Sequence, residues 1–212
     1  MRGGSWQASS FRHDPQEEDV AEILLFHHAL GRTAGVLAFA DDWRQSGHKV
    51  HTPDLYDGQV FETLDAGMAY AKTVGFDEII ARGAKAADEL PAELVYAGFS
   101  LGVLPAQKLA QTRSGARGAL LFHACIPPSA FETPWPSGLP VQIHAMDADP
   151  FFIDDGDLDA ARALVASAEH AEFYLYPGNQ HLFTDASLAS FDAAATALLK
   201  QRVLQFLATG LR

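Results

Sequence analysis

A serine, a pair of aspartates and a histidine follow one another along this chain in the order needed for nucleophilic catalysis. Gly98-Phe99-Ser100-Leu101-Gly102 is a G-x-S-x-G pattern. The hydroxyl at its centre is a weak nucleophile and needs a base to take its proton. A serine at a sharp strand-to-helix turn is lifted clear of a sheet, and small flanking residues let the chain pack closely there. The same turn aims the Leu101 amide and a helix N-terminus at the point where a negative oxygen would form. The alternative reading of these five residues is a tight turn with a capping serine.

The base must come from the histidines after Ser100: His123, His144, His170 or His181. His181 lies in Pro177-Gly178-Asn179-Gln180-His181-Leu182-Phe183, after the last expected strand and before the last expected helix. A base placed there hangs over the nucleophile. His170 is expected at the surface, and His123 and His144 are expected to pack or hydrogen-bond near strand ends. An acid must accept from the imidazole N–H and hold its tautomer. Met146-Asp147-Ala148-Asp149-Pro150 offers Asp147 and Asp149, and the one not used would turn the loop or cap a helix. Asp154, Asp155 and Asp157 are expected to cap the helix that follows.

These residues need a frame. Short apolar runs at residues 23–26, 94–97, 119–122, 141–144 and 173–176 suit strands covered on both faces, and residues 48–53 suit another. Helical spacing lies between them: Val36, Phe39, Ala40 and Trp43; residues 62–90 with a break near Gly75; residues 101–111; and residues 158–168. A last helix would place Leu188, Phe191, Ala195, Leu198, Leu199, Val203 and Phe206 on one face. The alternation predicts a single α/β domain over residues 20–212, with about six mainly parallel strands and helices on both faces. Ligands of such sheets bind beyond the C-terminal strand ends, where His27, His28, Asp54, Ser100, His123, Asp147, Asp149 and His181 fall. Residues 1–19 show no periodicity and are expected to form a weakly ordered extension.

Composition narrows the function. The chain has 212 residues, 48% of them apolar, enough for one domain with a full core. Fifteen basic against 27 acidic residues give a formal charge of −12, which disfavours nucleic acid and anionic membrane as partners. The single cysteine, Cys125, excludes a disulfide framework and a multi-cysteine metal site, and reads as a small buried hydrophobe. No apolar run approaches the ~20 residues of a membrane span, and the N-terminus has no apolar signal core, so a cytoplasmic location is expected. No Gly-rich phosphate cradle is present and no cofactor is expected.

From Ala21 onward the sequence resembles the dienelactone hydrolase family of α/β hydrolases. The resemblance rests on Phe26-His27-His28-Ala29-Leu30-Gly31, Pro53-Asp54-Leu55-Tyr56, the elbow around Ser100, Asp149-Pro150-Phe151 and His181-Leu182-Phe183. It implies an α/β hydrolase fold with Ser100 as nucleophile, His181 as base and Asp149 as acid. Asp149 is preferred to Asp147 because the family's acid directly precedes a Pro-Phe-like stretch. The resemblance also implies an oxyanion hole of the Leu101 and Ala29 amides. Its leading strands are missing here, so six parallel strands are expected in the spatial order second, first, third, fourth, fifth, sixth.

Three departures from the family pattern bear on substrate. The named enzymes carry Cys where this chain has Ser100, and Glu where it has His28. They also carry a substrate-binding Arg just beyond the histidine, where this chain has Thr184-Asp185. An aspartate facing the substrate would repel an anion. The reading is therefore a serine hydrolase acting on a small neutral ester or lactone, with no metal. His28, Phe61, Trp135, Phe152 and Leu182 are candidates for the substrate pocket. Three rivals are a non-catalytic small-molecule binder on the same fold, a metal-dependent hydrolase using the strand-end histidines, and acyl transfer by the same triad to an acceptor other than water.

Overall fold

The computed structural model describes residues 20–211. The extension expected over residues 1–19 lies outside the described residues. Six strands form one sheet: β1 (Glu22–Phe26), β2 (Lys49–His51), β3 (Val95–Phe99), β4 (Gly118–Phe122), β5 (Val141–Met146) and β6 (Ala171–Tyr176). Their order is β2-β1-β3-β4-β5-β6 and every neighbouring pair is parallel. Both the order and the parallel sense agree with the sequence reading. β3 and β4 are buried at every residue, as expected of apolar strands covered on both faces.

Alternate side chains along each strand feed two cores. Leu24, Phe26, Tyr96, Leu121 and Ile143 face one side, with Ile79 and Ala87 of α3 (Phe76–Asp88), Ala106 and Leu109 of α4 (Val103–Thr112), and Leu164 of α6 (Asp157–Ser167). Ile23, Leu25, Val95, Ala97, Leu120 and Phe122 face the other. They meet Val36, Phe39 and Trp43 of α1 (Ala34–Gln45) and Leu199 and Val203 of α7 (Ala193–Gln205). α2 (Leu64–Val74) is separated from α3 by Gly75 at φ 93°, the break expected there. No helix among the described residues is long and apolar enough to cross a membrane.

Several boundaries differ from expectation. β2 is only three residues long, a short edge strand that pairs with β1 alone. A short helix, α5 (Pro150–Asp154), starts directly after Asp149, with proline at its first position. Gly156, not an aspartate, stands at the N-cap of α6, and the Asp157 carboxylate turns away to accept from the Cys125 amide at 2.6 Å. The last helix starts late: Asp192 caps it by accepting from the Ala195 amide, so Leu188 and Phe191 precede it. Leu198 points to solvent, leaving Leu199 and Val203 to meet the sheet.

Candidate active site

β3 ends in a sharp turn. Ser100 has φ 48° and opens a 3₁₀ turn, Ser100–Gly102, that runs into α4. Left-handed backbone at a non-glycine residue is strained, and here the surroundings enforce it. A Cβ on Gly98 would lie 2.2 Å from the Gly102 carbonyl oxygen. A Cβ on Gly102 would lie 2.5 Å from the Phe26 and 2.6 Å from the His27 carbonyl oxygens. The second contact seats the elbow on the end of β1, three residues before Ala29. As a first-turn residue, Leu101 has an amide with no intrahelical carbonyl to meet.

Three side chains converge at this turn. The Ser100 hydroxyl donates to His181 Nε2 at 2.9 Å, and His181 Nδ1–H donates to Asp149 Oδ2 at 2.6 Å. Asp149 is fully buried, and its other oxygen accepts from the Phe151 amide at 3.0 Å, capping α5. Asp147 is exposed and accepts from the Gly178 amide at 3.0 Å, tying the end of β5 to the loop after β6. Of the two candidate acids, Asp149 meets the histidine. The His181 ring packs 4.7 Å from the Phe151 ring. Five described non-glycine residues have left-handed backbone, and three of them, Ser100, His123 and Leu182, surround this point.

A shallow groove of about 360 Å³ opens beside His181, bordered by Leu30, Leu64, Phe151, Leu182 and Leu188. Its polar rim includes Glu62, Asn179 and Gln180, and no lysine or arginine borders it. Of the five side chains expected in the pocket, only Leu182 borders this groove. Phe152 is fully buried against Phe173 in the core. Phe61 packs on the rings of Tyr56 and Tyr70. The Trp135 indole N–H donates to the Leu139 carbonyl at 2.9 Å, which holds the ring in its own loop. His28 is buried and bonded to Asp185 at 2.8 Å. Larger concavities lie elsewhere: one of about 530 Å³ between Arg113, Arg117 and Pro136–Pro140 includes none of the three converging residues.

A family model described as the dienelactone hydrolase family matches residues 10–211. The chain belongs to the dienelactone hydrolase family. Solved structures repeat its fold at low identity. One from Klebsiella pneumoniae subsp. pneumoniae, assigned as a dienelactone hydrolase, has a TM-score of 0.69 at 18% identity, covering 92% of this chain and 90% of its own. The dienelactone hydrolase-like promiscuous phosphotriesterase P91 from metagenomic libraries has a TM-score of 0.66 at 20% identity, covering 90% and 86%. A cold-adapted esterase from an Arctic intertidal metagenomic library has a TM-score of 0.60 at 19% identity, covering 86% and 83%. No curated protein matches the chain. Membership makes this protein a hydrolase on an α/β hydrolase fold.

Against the family pattern, Asp185 does not face the groove. It is buried and accepts from His28, from the Thr33 hydroxyl at 2.5 Å, and from the Ser187 amide and hydroxyl. Burial alone would raise its pKa, but the hydrogen bonds from His28, Ser187 and Thr33 outweigh burial and bring it to about 2. The expectation that Asp185 repels an anionic substrate is thereby corrected: its charge is spent on these donors. Sequence reasoning missed Thr33 and Ser187. Ser187 stands two residues from Asp185, a local turn spacing that could have marked it, whereas Thr33 and its carboxylate partner are 152 positions apart.

The strand-end histidines are each engaged separately. His27 Nδ1–H donates to the His28 carbonyl and its Nε2 accepts from the Leu55 amide. Burial lowers its pKa to about 4. His123 pairs with the Thr184 hydroxyl at 2.9 Å, and burial holds its pKa well below the usual value. His144 meets Tyr176 and Gln142, and burial lowers its pKa to about 3. His170 is exposed. Among the described residues, no group of three or more His, Cys, Asp or Glu side chains is arranged to hold a metal ion. Cys125 is buried, and burial pushes its thiol pKa up, away from a reactive thiolate.

Proposed function

We propose that this dienelactone hydrolase family member is a serine esterase acting on small neutral carboxylic esters or lactones through an acyl-enzyme. The observation that carries the reading is the continuous hydrogen-bonded line from Ser100 through His181 to buried Asp149. His181 Nε2 takes the hydroxyl proton as Ser100 Oγ bonds to the acyl carbon. Asp149 holds the Nδ1–H tautomer and stabilises the imidazolium that forms. The Leu101 and Ala29 amides receive the oxyanion, a contribution of about 3–4 kcal/mol per donor in other enzymes. The imidazolium then protonates the departing alkoxide. Water, deprotonated by the same ring, attacks the acyl carbon, and as the bond to Ser100 Oγ breaks and the acid leaves, the imidazolium returns its proton to Oγ.

The groove supports the substrate class. Its six apolar side chains, Ala189 among them, suit a short acyl or alcohol group, and it offers no cation to a carboxylate. Glu62 on its rim and the net charge of −12 both disfavour anions. A structural neighbour named as an esterase agrees with this reading.

Hydrolysis of p-nitrophenyl acetate and butyrate by wild type and Ser100→Ala, each with and without chelator, tests it. Chelator-insensitive turnover by wild type is expected, with a loss of at least about 10³-fold in Ser100→Ala. Equal turnover in the two proteins would remove Ser100 from the mechanism. A wild type that neither turns over the esters nor reacts with a fluorophosphonate would favour a non-catalytic binder.

A further inference from the structure

The reaction proposed above needs two loops held in fixed relation. The loop between β1 and α1 carries the Ala29 amide; the loop between β6 and α7 carries His181. A buried polar cluster joins them. His28 Nε2–H donates to Asp185 Oδ2 at 2.8 Å, and the Leu30 amide donates to His28 Nδ1 at 3.2 Å. Accepting that amide leaves the ring proton on Nε2, where it serves the carboxylate. The Thr33 hydroxyl donates to the same Oδ2, and its oxygen accepts from the Val36 amide, capping α1. Asp185 Oδ1 accepts from the Ser187 amide and hydroxyl at 2.8 and 2.6 Å. The Gly35 amide donates back to the Ser187 hydroxyl at 3.3 Å. Contact is close enough that a Cβ on Gly35 would lie 1.6 Å from Asp185 Oδ1.

Every acceptor in this cluster bridges from one loop to the other or rigidifies its own. His28 adjoins Ala29 in sequence, and Asp185 lies four residues after His181. Neither borders the groove. They are also two of the three positions at which the chain departs from the family pattern, and here the two departures meet. A buried carboxylate is costly to desolvate, and a buried polar network whose members are all satisfied rigidifies the segments that supply it.

We propose that His28 and Asp185 are a positioning pair, holding the Ala29 amide at its working distance from Ser100 and His181. The pair acts through the Leu30 amide and the loop around it. The proposal rests on the serine-esterase reading.

The test is p-nitrophenyl acetate kinetics on wild type, His28→Ala, Asp185→Ala and the double variant. Rates are expressed per active site titrated by an end-point fluorophosphonate reaction. A misplaced oxyanion donor lowers kcat by about 10- to 100-fold in each single variant, with KM within about twofold. Because the residues act as a unit, the double variant falls no further than the worse single. Affinity for a trifluoromethyl ketone, whose adduct carries the same oxyanion, falls in parallel with kcat. Thr33→Ser, which keeps the hydroxyl, retains wild-type kcat. His28→Gln and Asp185→Asn replace the alanine variants if those do not fold, with losses in the same direction. A merely structural pair would lower the titrated fraction and leave kcat per site unchanged. That result, or multiplicative losses in the double variant, overturns the pair while leaving an active wild type and the esterase reading intact. An idle wild type overturns both.

Discussion

Asp149 divides one carboxylate between two tasks. Oδ2 receives the His181 N–H, and Oδ1 caps α5 through the Phe151 amide. Asn at this position can keep the cap, but presents either the wrong group or a weaker acceptor to the imidazole. Asp149→Asn is therefore expected to fold and to lose about 10⁴-fold in kcat, whereas Asp147→Asn, which still accepts from Gly178, stays within about twofold. Ester turnover by the two purified variants checks this, and a larger loss in Asp147→Asn would reverse the assignment of the acid. At this scale the sequence was partly legible. Ser100 and His181 were readable because a motif and a loop position mark them. Asp147 and Asp149 were not separable by residue type, since both stand in one loop and both make turns. What divides them is Pro150, which starts α5 and commits Asp149 to its cap and its buried position. The inward turn of Asp185 was unreadable, because its partners His28 and Thr33 lie 157 and 152 residues away.

The strand-to-helix elbow is an element whose shape depends on two absent side chains. A methyl on Gly102 meets two backbone carbonyls at the end of β1, and neither can move without disturbing the paired strands beside it. Gly102→Ala is expected to cost about 1–3 kcal/mol of stability through overpacking. It should also slow fluorophosphonate labelling of Ser100, since the elbow and the β1 end separate. Urea unfolding and labelling rates on the same preparation read both effects. Wild-type values for both would show that the close approach is dispensable. The other elements show where sequence patterns suffice. Runs such as Leu120-Leu121-Phe122 are apolar on both faces and fix a central strand without help. The start of α7 is different: Leu188 and Phe191 continue an apolar spacing that suggests helix, yet the cap at Asp192 sets the boundary. Spacing alone does not distinguish a loop residue that rests on the surface from a helical residue that faces the core.

Across the whole molecule, the buried histidines couple stability to pH. His27, His123 and His144 are almost wholly buried, and burial lowers the pKa of each below its ordinary value of 6.5, to about 4 in His27 and about 3 in His144. In the unfolded chain all three take up protons as pH falls through 6.5, while in the folded protein burial disfavours their protonation. The unfolded state then binds more protons, so stability falls on acidification, on the order of 2 kcal/mol each for His27 and His144 between pH 7 and pH 5, with His123 acting in the same direction. Asp157 works the other way. Burial raises its pKa to about 6, so the folded state takes up a proton above the range of the unfolded carboxyl, and stability gains as pH falls through 6. One group opposes three, and the histidines win. Asp185, with its pKa lowered to about 2, adds a loss only below about pH 4, where the unfolded carboxyl begins to protonate. Reduced self-repulsion as the net charge of −12 shrinks toward the pI of about 5.0 favours the folded state, but 0.15 M salt screens charges beyond about 8 Å. Urea unfolding at pH 7, 6 and 5 in that salt should therefore show stability falling by several kcal/mol, a large share of the roughly 5–15 kcal/mol that holds a domain folded. Asp157→Asn should steepen the fall between pH 7 and pH 5, because it removes a titration that opposes the histidines. A stability that stays flat or rises toward pH 5 would mean that the buried imidazoles take up protons in the folded state and that the two cores are less closed to water than their packing indicates.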